Sequence, residues 1–473
     1  MKILATGLSR ATGEPLVEPI DAAVFGEQVR QGLERNADDL RERAKATSQG
    51  AVYRREVELG PVVDVRDPRA AGWTFLVNAD DPDRDALVDA VRPLAEHRRM
   101  PDPSKPLQFR MGDDWFEWLL ENYSSLDMSA VPHYVLTLGG PDLVPFQFQA
   151  LLDAAASVGR VQLTPDELRA YADKLIRLES APDPVPEKRA VVFAPDYGMR
   201  PDGQFDATYF SREYMAKPLD GYVRDKLGFE TVAFLGEPAV KSALVEALGG
   251  APAALAYTAS HGLGAPDQTL EVQQRMNGAI CCQRSGADTS TRDWLFSAED
   301  VPDEPFLEGG VLFQFACFGY GTPAESDFMH WLGEPELNGT ADFVAALPKR
   351  LLAHPRGPVA FIGHVDTAWL HGFDDPDDPH IVEPWNQRMS PFVQAVNSLL
   401  RVEPVGRALT DMNTRYSATN AILTGTWDRI RRGKVEETPE FWTRLATTFI
   451  TRSDAQNYML FGDPGARIRI AGD

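Results

Sequence analysis

From Arg189 to Gly262 the chain alternates between two kinds of segment. RAVVFAPD (189–196), ETVAFLG (230–236) and AALAYTASHG (253–262) are continuous apolar runs. LDGYVRDKLGF (219–229) and AVKSALVEALGG (239–250) carry helical patterns that stop at glycine. Strands that are apolar on both faces and separated by helices specify a mostly parallel sheet with helices on both sides. The pattern continues with GGVLFQFACFG (309–319) and GPVAFIGHVD (357–366). It also appears earlier, in WTFLVNADDPDRDALVDAVRPLAEHRR (73–99) and HYVLTLGGPDLVPFQFQALLDAA (133–155), each a strand, a polar loop and a helix. The expected strands there are Thr74 to Asn78 and Tyr134 to Leu138. The fold class is therefore α/β.

The proline-rich joint ESAPDPVPEKR (179–189) divides the chain. The expected units are an N-terminal extension (1–69), a smaller α/β subdomain (70–185) and a larger domain (186–473). The extension is polar and mixed, with one exposed helical stretch, DLRERAK (39–45). Net charge is −23, which disfavours nucleic acid and anionic membranes as partners. No apolar run reaches the 18 or so residues of a membrane span. Only three cysteines occur, two of them adjacent (Cys281 and Cys282), and MKILATGLSRATGEP lacks a secretory core. A reduced, cytoplasmic protein is expected. The acidic stretch FDDPDDPH (373–380) reads as a solvated loop rather than a metal site, and no metal or cofactor is expected.

Reactive groups of open α/β sheets gather at the carboxyl ends of the strands. Here those ends carry Ser260-His261-Gly262, Ala316-Cys317-Phe318-Gly319 and Gly363-His364-Val365-Asp366. A thiol becomes a nucleophile near neutral pH when a histidine takes its proton, and neighbouring glycines admit a substrate backbone. A lone histidine or cysteine at a strand end is more often structural. The pair on two strands of one sheet points to a catalytic His261 and Cys317, with His364 ranked second because no glycine follows it. Motifs for serine hydrolases, zincins, P-loops and dinucleotide folds are missing.

The order strand-SHG, then strand-AC-x-G, resembles the caspase-like cysteine peptidases, in which cysteine follows histidine by roughly 50 residues. Phe315 and Phe318 depart from the caspase signature, and the chain is more similar to the gingipain-type branch. HYVLTLGGPDLVP (133–145), YADKLIRLE (171–179) and NYMLFGDPGARIRI (457–470) carry that likeness. The resemblance implies a caspase-like fold with His261 as general acid/base and Cys317 as nucleophile. The backbone N–H groups of Gly262 and Cys317 would form the oxyanion hole. Partners would be protein or peptide substrates, with an activating protease or regulator.

Asp366 and Asp196, each at the end of a strand, would recognise arginine or lysine before the cut bond, with Trp369 walling the pocket. A preference for aspartate would need Arg200 or Arg212 instead. The polar stretch AICCQRSGADTSTRDW (279–294), with Arg284 and Arg292, is the expected site of activation by nicking or by a partner-induced rearrangement. The alternative function is a catalytically silent binding or scaffold protein of the same fold.

Overall fold

The structure is a computed structural model that describes residues 2–59, 63–123, 131–284, 293–326, 341–371 and 389–471. Its frame is one ten-stranded sheet. In chain order the strands are β1 (Trp73–Asn78), β2 (Leu107–Phe109), β3 (Tyr134–Leu138), β4 (Ser157–Val161) and β5 (Glu187–Ala194). They continue with β6 (Glu230–Leu235), β7 (Ala253–Ala259), β8 (Val311–Phe315), β9 (Ala360–His364) and β10 (Tyr458–Gly462). Across the sheet they lie in the order β2-β1-β3-β4-β10-β9-β8-β7-β5-β6.

Within β2-β1-β3-β4 and within β9-β8-β7-β5-β6 all neighbours are parallel, and β10 runs antiparallel to β9. The carboxyl ends of β3 and β8 open to one edge, where Phe146 and Tyr320 meet with ring centres 5.9 Å apart. By contrast, β10 ends at the edge where β1 begins, with Asp463 bonded to the Trp73 indole. Strands β1, β3, β7, β8 and β9 are buried along their whole length, as continuous apolar runs flanked by helices require. The α/β class with a mostly parallel sheet is the one expected from the sequence. The hydrogen-bonded sheet crosses the joint at 179–189, because the last strand, β10, is inserted between β4 and β9.

Residues 2–59 are more ordered than their mixed composition suggests. Lys2–Ala5 and Gly7–Ser9 are short strands, and Ala22–Arg35 and Ala37–Leu59 are helices. Asp21 starts the first helix by accepting the N–H groups of Ala23 and Val24. That helix buries Phe25, Val29 and Leu33 in a second apolar cluster with Ile3, Ala5, Trp369 and Phe449. Each such side chain contributes about 1.5–3 kcal/mol on burial, which fastens the start of the chain beside the ends of β8 and β9.

Candidate active site

Strands β7 and β8 are parallel neighbours in which Ala259 faces Phe315. His261 and Cys317 each lie two residues past that pair, so the register alone sets them side by side. Gly262 packs so closely on the next strand end that a Cβ there would fall 1.8 Å from the Cys317 carbonyl oxygen. No other residue fits at 262.

His261 is fully buried, and its Nε2 lies 2.9 Å from Asp206 Oδ1. Its Nδ1 is buried with no hydrogen-bond partner among the described residues. Asp206 precedes the short helix Ala207–Ser211 and accepts the Thr208 N–H (2.9 Å) and hydroxyl (2.5 Å) on the same oxygen. Burial opposes ionisation of Asp206, but the contacts with His261 and Thr208 outweigh it and hold the carboxyl well below the usual range. The Tyr197 ring lies 5.7 Å from the imidazole, centre to centre.

Cys317 is also fully buried. Its Sγ accepts the Ala368 N–H at 3.1 Å and lies 3.6 Å from the Thr6 hydroxyl. Burial pushes the thiol up to about 12, against the smaller opposing effect of these hydrogen bonds. Next to it, Phe318 (φ 58°) and Asp366 (φ 71°) both hold left-handed backbone. They are joined by the Phe318 N–H donating to the Asp366 carbonyl at 2.8 Å. Such conformations cost of order 1–3 kcal/mol each and are held only where the surroundings fix them.

The N–H groups of Gly262 and Cys317 converge on one oxygen. Both donate to the carbonyl of Thr6, at 2.8 and 3.4 Å. The two groups expected to form an oxyanion hole are thus arranged around a peptide carbonyl supplied by the chain itself.

The residues expected to select a basic side chain are not gathered in one pocket. Asp196 is ion-paired with Arg212 at 3.1 Å and accepts the Gly198 N–H. Asp366 is buried, its oxygens taken by the Ser326 hydroxyl (2.6 Å) and the Thr367 N–H (2.7 Å). Trp369 lines a narrow cavity of about 40 Å³ whose described lining includes neither aspartate. Arg200 pairs with Glu18 at 2.7 Å. His364 turns into a buried cluster, 3.3 Å from Asp454 and edge-on to Tyr458.

The acidic loop 373–380 and Arg292, with the rest of 285–292, lie outside the described residues. Arg284 is described, and its guanidinium lies over the rings of Tyr197 and Trp294. Among the described residues no three His, Cys, Asp or Glu side chains group as for a metal ion, and no helix is long and apolar enough to cross a membrane.

No family model and no curated protein matches the chain. Two solved structures are similar in fold at 12% identity. One, an Arg-specific cysteine proteinase named gingipain R, is covered over 80% of its length by 87% of this chain, with a TM-score of 0.44. The other, described only as a protease, is covered over 81% by 88% of this chain, with a TM-score of 0.47.

Two parts of the site were not anticipated from the sequence. Asp206 stands in QFDATYF as an ordinary helix-capping aspartate, with nothing to tie it to a histidine some fifty residues on. Thr6 belongs to ILATG, a short apolar run followed by glycine. That run is a short strand signal set in a polar region.

Proposed function

We propose that the protein is a cysteine peptidase in which Cys317 is the nucleophile and His261 the general acid/base. One observation carries the reading: two backbone N–H groups converge on a single peptide carbonyl beside the Cys317 thiol. Donors fixed in this way stabilise the charge that develops on a carbonyl oxygen under attack.

In the reaction, the thiol passes its proton to His261 and Sγ bonds to the carbonyl carbon of the substrate. The oxyanion rests on the N–H groups of Gly262 and Cys317. The C–N bond then breaks as His261 returns the proton to the leaving amine. Water, deprotonated by His261, attacks the thioester, releasing the acid and restoring the thiol. Nδ1 of His261 is the nitrogen suited to this traffic, since Nε2 is held by Asp206. Asp206 orients the ring and balances the imidazolium that forms.

Substrates are protein or peptide chains. Preference for arginine, then lysine, before the cut would call on Asp366, which has to exchange its Ser326 or Thr367 contact for the basic group, since Asp196 is ion-paired with Arg212. Fluorogenic peptides differing only at that position, cut by the wild type and by Asp366→Ala, test it. A preference that ignores Asp366→Ala removes that residue from the account. A scaffold that does not cleave has one observation in its favour, the closed and neutral thiol. A peptide-library digest by the wild type and by Cys317→Ala, each before and after displacement of the segment that covers the thiol, decides between them. Cuts made by the wild type alone in either state support the peptidase, and none in either state supports the scaffold.

A further inference from the structure

We propose that residues 2–9 are a strand bound in the protein's own substrate cleft, marking where a peptide lies and keeping Cys317 latent. The proposal rests on the peptidase reading and adds its regulation and the shape of its substrate.

The segment is bonded on both sides of the thiol as an extended peptide adding itself to strand edges would be. Lys2–Ala5 runs antiparallel to Trp369–His371, with Ala5 facing Trp369. Gly7–Ser9 runs parallel to Gly262–Gly264, with Gly7 facing Gly262. Between them Thr6 donates its N–H to the Ala368 carbonyl at 3.0 Å. Its carbonyl accepts from Gly262 and Cys317. Thr6 thus stands where the residue before a cut bond would stand, and Gly7 where the residue after it would.

Chemistry at position 7 is restricted. A Cβ on Gly7 would lie 3.2 Å from Cys317 Sγ and 3.0 Å from Leu16 Cδ1. Leu16, whose N–H donates to the Gly7 carbonyl at 2.9 Å, packs on Cys317, Phe318 and Ala368 and closes the thiol from above. The cleft therefore suits an extended chain with glycine just past the reacting carbonyl. The segment resists cutting for reasons visible in place. The thiol is desolvated and neutral, and a threonine fills the position for which a basic residue is proposed.

Between Ser9 and Leu16 the chain makes a surface turn in which Ala11, Thr12 and Glu14 are exposed. A cut there would leave the strand attached only through its own contacts, free to be lost by dilution. Displacement of this segment is therefore the proposed activating event, in place of nicking near 279–294.

The test uses the full chain with a unique protease sequence inserted between Thr12 and Gly13 and cut after folding. Cys317 labelling by iodoacetamide is followed by mass spectrometry, on molecules from which the segment has left. Labelling is expected to rise at least about 100-fold over uncut protein. A synthetic peptide of residues 2–9 should restore protection, and the same peptide with Gly7→Val should not. A thiol that stays unreactive after the segment has gone, or that is fully reactive before the cut, overturns the proposal. So do purified wild-type chains that begin at Gly7, since the segment is then a substrate. Where the segment stays bound after cutting, Gly7→Val in the uncut chain serves instead, and labelling at the wild-type rate overturns the idea. None of these readouts requires turnover. A released, reactive thiol that cuts no peptide fails the peptidase reading and leaves the plug standing.

Discussion

The two edges of the sheet are finished differently. At the edge where β1 begins and β10 ends, buried charges are committed to holding the fold together. Asp463, just past β10, accepts from the Trp73 indole (2.7 Å) and from Arg98 (2.8 Å), and Arg98 also grips Glu179. At the opposite edge, formed by the ends of β5 to β9, the groups are held but unspent. Among the described residues, His261 keeps a buried nitrogen without a hydrogen-bond partner, and two N–H groups meet a carbonyl from residue 6. Polar groups that tie the fold together make a scaffold. Polar groups that wait for a partner make a site.

That contrast predicts opposite mutational phenotypes at the two edges. The largest effect belongs to the site edge. Cys317→Ala, and equally His261→Ala, should lower kcat/KM of the activated protein by about 10³-fold or more, because dyad members act as a unit. The melting temperature should change little in Cys317→Ala and fall in His261→Ala, which leaves the Asp206 carboxylate buried without its partner. Kinetics and thermal denaturation on the same preparations check both statements. Asp206→Asn should cost on the order of 100-fold, mostly in kcat, by releasing the imidazole from its orientation. An unchanged pH profile of kcat/KM in that variant would remove Asp206 from the catalytic unit.

At the scaffold edge the prediction reverses. Asp463→Ala leaves the Arg98 guanidinium buried and partly unpaired, which should cost about 3–5 kcal/mol of stability. Urea denaturation reads the loss, and Cys317 labelling below the transition should match the wild type. A variant that folds normally but loses activity would break the division between edges.

The smallest effect is acid sensitivity. Burial would raise Glu179, but Arg98 and His97 outweigh it and bring its carboxyl down to about 2. Its folded value lies below its unfolded one, so its stabilisation is present above about pH 4.5. It is lost as pH falls toward 2, by roughly 3 kcal/mol at most. Glu179→Gln should flatten the stability curve over that window. A curve as steep as the wild type's would assign the acid sensitivity elsewhere.

The core strands were legible because they carry their own burial in sequence. WTFLVN, YVLTL and AALAYTA are apolar on both faces; the first two appear within a residue of their expected bounds, and the third ends at Ala259, three residues before the expected Gly262. The expected place of chemistry, at His261 and Cys317, is read from where apolar runs stop. What stayed hidden depends on contacts between residues far apart in the chain. The insertion of β10 between β4 and β9 leaves no local trace. Asp206 has the same local signature whether it caps a helix or also meets a histidine, and here it does both. Asp196 sits beyond a strand end as expected, but its use is decided by Arg212, on a different element. Trp369 stands three residues past Asp366 in sequence, yet β pairing with Ala5 carries it into another cluster.

The most direct measurement is covalent trapping of the nucleophile. An arginyl chloromethyl ketone, which alkylates an activated thiol held beside a bound peptide, is added to protein freed of residues 2–9, and the adduct is mapped by mass spectrometry. The account predicts one adduct, on Cys317, that is missing in Cys317→Ala and much slower in His261→Ala. Peptide cleavage accompanied by labelling of Cys281 or Cys282 instead, or cleavage that survives full alkylation of Cys317, would contradict it.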